Sequence, residues 1–146
     1  MNTFILDTSA LVKHYRREAG SEAVDTLFAD AQSTLIISEL SIVEFASSFK
    51  RILNRGEIDS AAFNDALARF AADTAGRLVV VSFRSDSIHV ARDLILMSAL
   101  KTLDALQLAS ALDYKALDST FVCSDHNLIQ AAHAHGLNTL NPVSSA

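Results

Sequence analysis

Four short apolar runs, Thr3–Leu6, Thr34–Ile37, Leu78–Phe83 and Thr120–Cys123, alternate with longer segments whose apolar residues recur at helical spacing. Continuous apolar runs of this length suit strands buried on both faces, and strands separated by helices pair in parallel. The order predicts an α/β fold, a parallel sheet covered by helices on both faces. Leu137–Leu140, ahead of Pro142, offers a further strand, so four to five are expected. The helical segments are Ser9–Arg17, Glu22–Ala31, a stretch capped by Ser38 or Ser41 and running through Ile52, Asp59–Thr74, Ser87–Met97, Thr102–Tyr114 and Asn127–His135. Gly56, Gly76 and Gly136 follow three of them as natural stops. No repeat, low-complexity stretch or linker divides the 146 residues, so a single domain over 1–146 is expected.

Four carboxylates interrupt this apolar framework. Asp7 ends Phe4-Ile5-Leu6, and Asp125 follows Phe121-Val122-Cys123-Ser124. Glu44 lies within Ser41-Ile42-Val43-Glu44-Phe45, and Asp104 within Leu103-Asp104-Ala105-Leu106. Acidic side chains are rarely buried without a partner or a metal. In open α/β sheets, sites form outside the carboxyl ends of the strands, and the helices that follow begin at that same edge. All four can therefore point into one cleft. Each also has a local explanation. Asp7 and Asp125 are good N-caps, and Ser41-x-x-Glu44 fits a capping box. Asp104 stands in a first turn, where the helix dipole favours it by only about 0.3–1 kcal/mol.

The net charge of −5 argues against holding nucleic acid by surface charge alone. Taking the four carboxylates from the 17 acidic residues leaves 13 against 12 basic ones, a net of −1. Most of the acidity is thus a potential single site that a cation would neutralise. Two basic clusters, Lys13 with Arg16-Arg17 and Lys50-Arg51 with Arg55, suit solvated faces unless the cleft takes a polyanion. The lone Cys123 lies in an apolar run, reads as core and suits a reducing cytoplasm. No apolar run reaches the ~18 residues of a membrane span, and the start lacks the basic region of a signal peptide. The five histidines show no metal-ligand spacing; His14 and His126 fall near the cleft edge, and His133 and His135 near a helix end. Neither a G-x-S-x-G elbow, nor a P-loop, nor a dinucleotide fingerprint is present.

Clustered carboxylates repel one another unless a cation lies among them. An oxygen-only donor set favours Mg²⁺ or Mn²⁺ over zinc, and the fitting chemistry is metal-assisted displacement at a phosphodiester. Ser9, two residues after Asp7, offers a hydroxyl to a water or phosphate oxygen, or simply to a helix start.

Asp7-Thr8-Ser9-Ala10-Leu11-Val12-Lys13, the Glu44 helix, Leu103-Asp104-Ala105-Leu106-Gln107-Leu108-Ala109 and Ser124-Asp125-His126-Asn127-Leu128, in that order, closely resemble the PIN domain, and more narrowly the VapC-type toxins of toxin–antitoxin pairs. The resemblance implies a Mg²⁺- or Mn²⁺-dependent endoribonuclease acting on RNA. It also implies a homodimer and a VapB-type antitoxin that enters the groove and carries the DNA-binding part. By position, Asp7 and Asp104 would be the principal metal ligands, with Glu44 and Asp125 completing the pocket. Ser9 takes the small polar position beside the first aspartate. Asn127 departs from the further acidic residue that many relatives carry there, which argues against a fifth acidic ligand. Two rivals remain: a haloacid-type phosphatase with Asp7 as nucleophile, which lacks the acidic residue expected at Ser9, and a non-catalytic PIN-like binding module.

Overall fold

The computed structural model describes residues 1–144. In chain order the elements are β1 Thr3–Leu6, α1 Thr8–Val12, α2 Ser21–Ala29, β2 Thr34–Ser38, α3 Leu40–Asn54, α4 Ser60–Gly76, β3 Leu78–Val81, α5 Ser87–Met97, α6 Thr102–Leu112, β4 Thr120–Val122, α7 His126–Ala134 and β5 Asn138–Leu140. A short 3-10 turn, Lys115–Leu117, precedes β4. The five strands form one sheet in the order β3-β2-β1-β4-β5, and every pairing is parallel. The α/β class expected from the alternation is found, with Leu137–Leu140 supplying the fifth strand.

Strand side chains alternate between two cores. Ile5 sits opposite both Ile36 and Phe121, and these three face one side, where α5, α6 and α7 bring Leu94, Leu108, Leu128 and Ala132. Leu6, Leu35, Ile37 and Val122 face the other side, against Leu11, Val24, Phe45, Phe49 and Phe70 from α1 to α4. Covering both faces is the reason the inner strands read as unbroken apolar runs rather than as an alternation.

Two expected elements differ from the structure. The first helix stops at Val12 instead of reaching Arg17. Lys13, His14 and Tyr15 donate their backbone N–H groups to carbonyls three residues back, a tight 3-10 pattern that ends the helix. Tertiary packing accounts for the break. Tyr15 lies edge-on to Phe28, Phe45 and Phe70 and donates its hydroxyl to Asp73 at 2.6 Å. His14 stacks on Phe28 with 3.7 Å between centroids, so the expected cleft position of His14 is not adopted. The third strand was expected to be buried throughout and to reach Phe83. It ends at Val81 and forms an edge, leaving Val79 and Val80 46% and 39% exposed.

At the end of α7, Gly136 adopts φ +80°, and a Cβ there would come within 2.7 Å of the Lys115 Nζ. Glycine is the residue that meets both demands.

Phe45 lies 4.0 Å from Phe70 and 4.6 Å from Phe49 between ring centroids and is 1% exposed. Phe45→Ala is expected to cost about 3–5 kcal/mol, measured by urea unfolding. A cost below 1 kcal/mol would show that this cluster does not anchor the α3–α4 side of the sheet.

Candidate active site

The sheet order reverses between β1 and β4, so the crevice at their carboxyl ends is the topological switch point of the fold. Asp7 stands at this point. Its backbone N–H donates to the Val122 carbonyl at 3.1 Å, extending the β1–β4 pairing by one residue. Its side chain then caps α1, with Oδ1 accepting from the Ala10 N–H at 2.8 Å. Ser9 donates its hydroxyl to both carboxylate oxygens at 3.0 Å. Asp125 repeats the device on the neighbouring strand, capping α7 by accepting from the Leu128 N–H at 2.9 Å. Cap and cleft position are thus the same position in both cases.

Glu44 does not close the capping box with Ser41. The N-cap position of α3 is Glu39, and Ser41 lies inside the helix, fully buried. Of the two serines expected as caps, it is Ser38 whose hydroxyl oxygen accepts from the Leu40 N–H, at 3.1 Å. Glu44 instead turns across the cleft. Its Oε1 accepts from the Thr8 hydroxyl at 2.8 Å and from the Gln107 Nε2 at 2.8 Å. Gln107 Nε2 also lies 3.0 Å from Thr8 Oγ1 and 3.1 Å from Ser41 Oγ, which itself meets Thr8 Oγ1 at 2.9 Å. With Thr8 donating to Glu44, Ser41 donates to Thr8. These four side chains from α1, α3 and α6 form one polar network. Gln107 Oε1 is left buried without a partner, a desolvation cost carried to keep the amide hydrogens on the carboxylate.

Asp104, in the first turn of α6 and half-buried, completes the set. Asp7, Ser9, Glu44, Asp104 and Asp125 all line a cleft of about 430 Å³, together with Thr8, Leu40, Val43, Ser47, Ser48, Arg51, Leu103 and Gln107. Thr8, Ser41 and Gln107 each stand within three residues of a singled-out carboxylate, but nothing in the sequence links them to one another. They lie up to 99 positions apart, and only the fold reveals the contact. His126 lies outside this lining.

The sequence profile of the PIN domain matches residues 4–134. The chain belongs to the PIN domain family. No curated protein matches the sequence. Among solved structures, the PIN domain here is similar to FitAcB from Neisseria gonorrhoeae (15% identity, 95% of this chain and 97% of that one, TM-score 0.65). It is also similar to VapBC2 from Rickettsia felis bound to a DNA fragment from their promoter (15%, 95% and 98%, 0.65). A toxin–antitoxin complex from Klebsiella pneumoniae is a third (16%, 94% and 96%, 0.58). At such identities the likeness is one of fold.

The electrostatics of this PIN cleft are those of a strained site. Burial, with Asp7 only 5% exposed, drives its pKa from 3.8 to about 7, opposed by the Ala10 and Ser9 hydrogen bonds and reinforced by Asp104 and Glu44. Asp104 is also raised, by burial first and then by the charges of Asp125 and Glu44, against a lowering from Lys101. Burial likewise pushes the Cys123 thiol up, helped by Asp7, Asp125 and Asp104, so Cys123 is an inert core residue.

Among the described residues, no three acidic, histidine or cysteine side chains close up far enough to hold an ion unaided. The donor set nevertheless fits Mg²⁺ or Mn²⁺, which are held by one or two carboxylates while waters and substrate oxygens fill the remaining positions. Asp7 and Asp104, each raised by burial first and then by negative neighbours, are the groups a cation would relieve most.

A carboxyl with a raised folded pKa stabilises the protein only while protonated. That contribution is complete below about pH 4 and is lost as pH rises toward 7. In metal-free buffer at pH 8, Asp7→Asn removes a penalty of the order of 4 kcal/mol at 1.36 kcal/mol per pH unit. Thermal unfolding in EDTA should give the Asn variant a Tm several degrees above wild type at pH 8 and an equal Tm near pH 4. A wild type that is the more stable at pH 8 would contradict the buried, repelled state of Asp7.

Proposed function

We propose that this PIN domain is an endoribonuclease dependent on Mg²⁺ or Mn²⁺ and the toxin of a type II toxin–antitoxin pair. The observation that carries the proposal is that four carboxylates from separate parts of the chain line one cleft at the β1–β4 switch point. Asp7 and Asp104 would hold the metal, with Asp125 and Glu44 completing the acidic pocket. A bound divalent cation supplies Lewis-acid stabilisation of the charge that builds on the phosphate as the bond breaks.

The remaining steps belong to side chains of the protein. Glu44 is fixed through Oε1 by Thr8 and Gln107, and its Oε2 is left to receive a proton from an attacking water. Ser9, exposed at the rim, turns its hydroxyl from Asp7 to a phosphate oxygen when substrate arrives. A haloacid-type role for Asp7 is disfavoured, because Ser9 stands where such an enzyme carries a second acidic residue two positions after its nucleophile.

A cognate VapB-type antitoxin is the proposed protein partner, with the chain itself a homodimer. Support comes from the kinship in fold with a toxin–antitoxin complex and with a VapBC assembly on promoter DNA. The net charge of −5 favours DNA contact through the antitoxin alone. A cytoplasmic setting accords with the single buried cysteine, and no helix among the described residues is long and apolar enough to cross a membrane.

Incubating the purified protein with total RNA in Mg²⁺, Mn²⁺ or EDTA and mapping the ends tests the proposal. Discrete cuts in either metal are expected, with Asp7→Asn and Asp104→Asn falling to the EDTA level. Gln107→Leu, which releases the Glu44 carboxylate, should lower the cleavage rate at saturating metal about 10–100-fold. Wild-type cleavage by either aspartate variant would sink the site assignment. RNA that is bound but never cut would make the domain a binding module.

A further inference from the structure

The acidic end of the cleft accounts for one phosphate, yet the cleft continues along α3 past Glu44. Ser47, Ser48 and Arg51 follow at helical spacing on the same face, and all three line the cavity with Glu44. Seven residues along an α-helix put the Arg51 backbone about 10 Å beyond that of Glu44. Arg51 is the one cation among the described residues of the lining.

Four of the five other cations in the two basic clusters are engaged elsewhere, Arg55 being the exception. Lys13 pairs with Glu18 at 2.9 Å, Arg16 with Glu57 at 3.0 Å and Arg17 with Asp25 at 3.1 Å. Lys50 lies over the Phe63 ring at 5.7 Å. Arg51 makes no ion pair with any described residue. It is steadied only by neutral hydroxyls, through Nη1 to Ser47 Oγ at 2.8 Å and Nη2 to Ser48 Oγ at 3.4 Å. A guanidinium has five N–H donors in a planar fork, so most of them remain available. In a chain with five more acidic than basic residues, an unpaired arginine opening on an otherwise acidic cleft is an anion site kept free.

We infer that Arg51, steadied by Ser47 and Ser48, binds the phosphate of a nucleotide flanking the scissile bond, so that the RNA strand runs along α3 from Glu44 to Arg51. This rests on the ribonuclease reading and extends it with a second subsite and a direction. The guanidinium is held against Ser47 and Ser48, a turn of α3 beyond Glu44, while the acidic centre takes the scissile phosphate, so Arg51 sets register rather than taking part in bond breaking. Loss of Arg51 should therefore weaken binding without disturbing the reacting atoms.

The test uses a short labelled single-stranded oligoribonucleotide carrying one wild-type cleavage site. Steady-state cleavage is compared for wild type, Arg51→Gln, Arg51→Lys and Arg55→Gln. Binding of the same oligonucleotide is followed across a salt series with each change placed in Asp104→Asn. Arg55 is exposed, lies on the same helix end and is not in the cleft lining, so its variant removes equal charge elsewhere. Arg51→Gln should raise KM roughly tenfold with the effect on kcat much smaller, and reduce the salt slope of binding by about one. Arg51→Lys should restore part of the binding that Arg51→Gln loses, and Arg55→Gln should itself lose very little. A neutral methylphosphonate at the flanking phosphate should erase the difference between wild type and Arg51→Gln.

Equal losses from Arg51→Gln and Arg55→Gln, or none from either, overturn the subsite. So does an Arg51→Gln that keeps its RNA parameters but loses a co-purifying protein partner, which would make the arginine a protein contact. Failure of wild type to cut any RNA would instead overturn the ribonuclease reading, and the binding series would still decide whether Arg51 contacts the strand.

Discussion

The cleft depends on the position of β1, which pairs with β2 on one side and β4 on the other. The Asp7 N–H to Val122 carbonyl bond carries that pairing one residue past the strand, so the backbone under the carboxylate belongs to the sheet. One Asp7 oxygen then closes the first turn of α1, which fixes the side chain as well. Because the sheet order reverses between β1 and β4, the chain leaves these neighbouring strand ends in different directions and the crevice stays open. Asp125 enters it from the second strand and caps α7 in the same manner.

This placement carries an energetic burden. A buried carboxylate beside other negative charges lies far from its preferred ionisation, and the rest of the fold must hold it there. Two apolar cores, one on each face of the sheet, supply the stability that makes the strain tolerable. The Thr8–Ser41–Glu44–Gln107 network serves a different end. It orients one carboxylate at the cost of an unpartnered buried amide oxygen, an arrangement suited to a positioned reactive group rather than to stability alone. Arg51, at the far end of the same helix face, gives the cleft a positive pole opposite its acidic one.

Much of the architecture was legible in the sequence because buried parallel strands leave unbroken apolar runs. Thr3–Leu6 coincides with β1, and Ser87–Met97 with α5. The convergence of Asp7, Glu44, Asp104 and Asp125 on one cleft followed from their places at strand ends and early helical turns. What could not be read were features set by contacts between distant segments. Helical spacing carried the first helix to Arg17, but the packing of Tyr15 against Phe45 and Phe70 ends it at Val12. The S-x-x-E pattern pointed Glu44 back at Ser41, whereas two donors from α1 and α6 draw it across the cleft. Local pattern competed with tertiary partners in both cases, and the partners prevailed. The valines of β3 gave no sign that they would lie at the sheet edge.

We propose that these carboxylates form one cation site built on the end of β1. Thermal unfolding at pH 8 with rising Mn²⁺ and no RNA present tests it most directly, since a ligand of the folded state raises stability by about 2.7 kcal/mol at a hundred times its Kd. The Tm should climb with Mn²⁺ in wild type and stay flat in Asp104→Asn. A wild-type Tm that ignores the ion, or one that climbs equally in the variant, would contradict it.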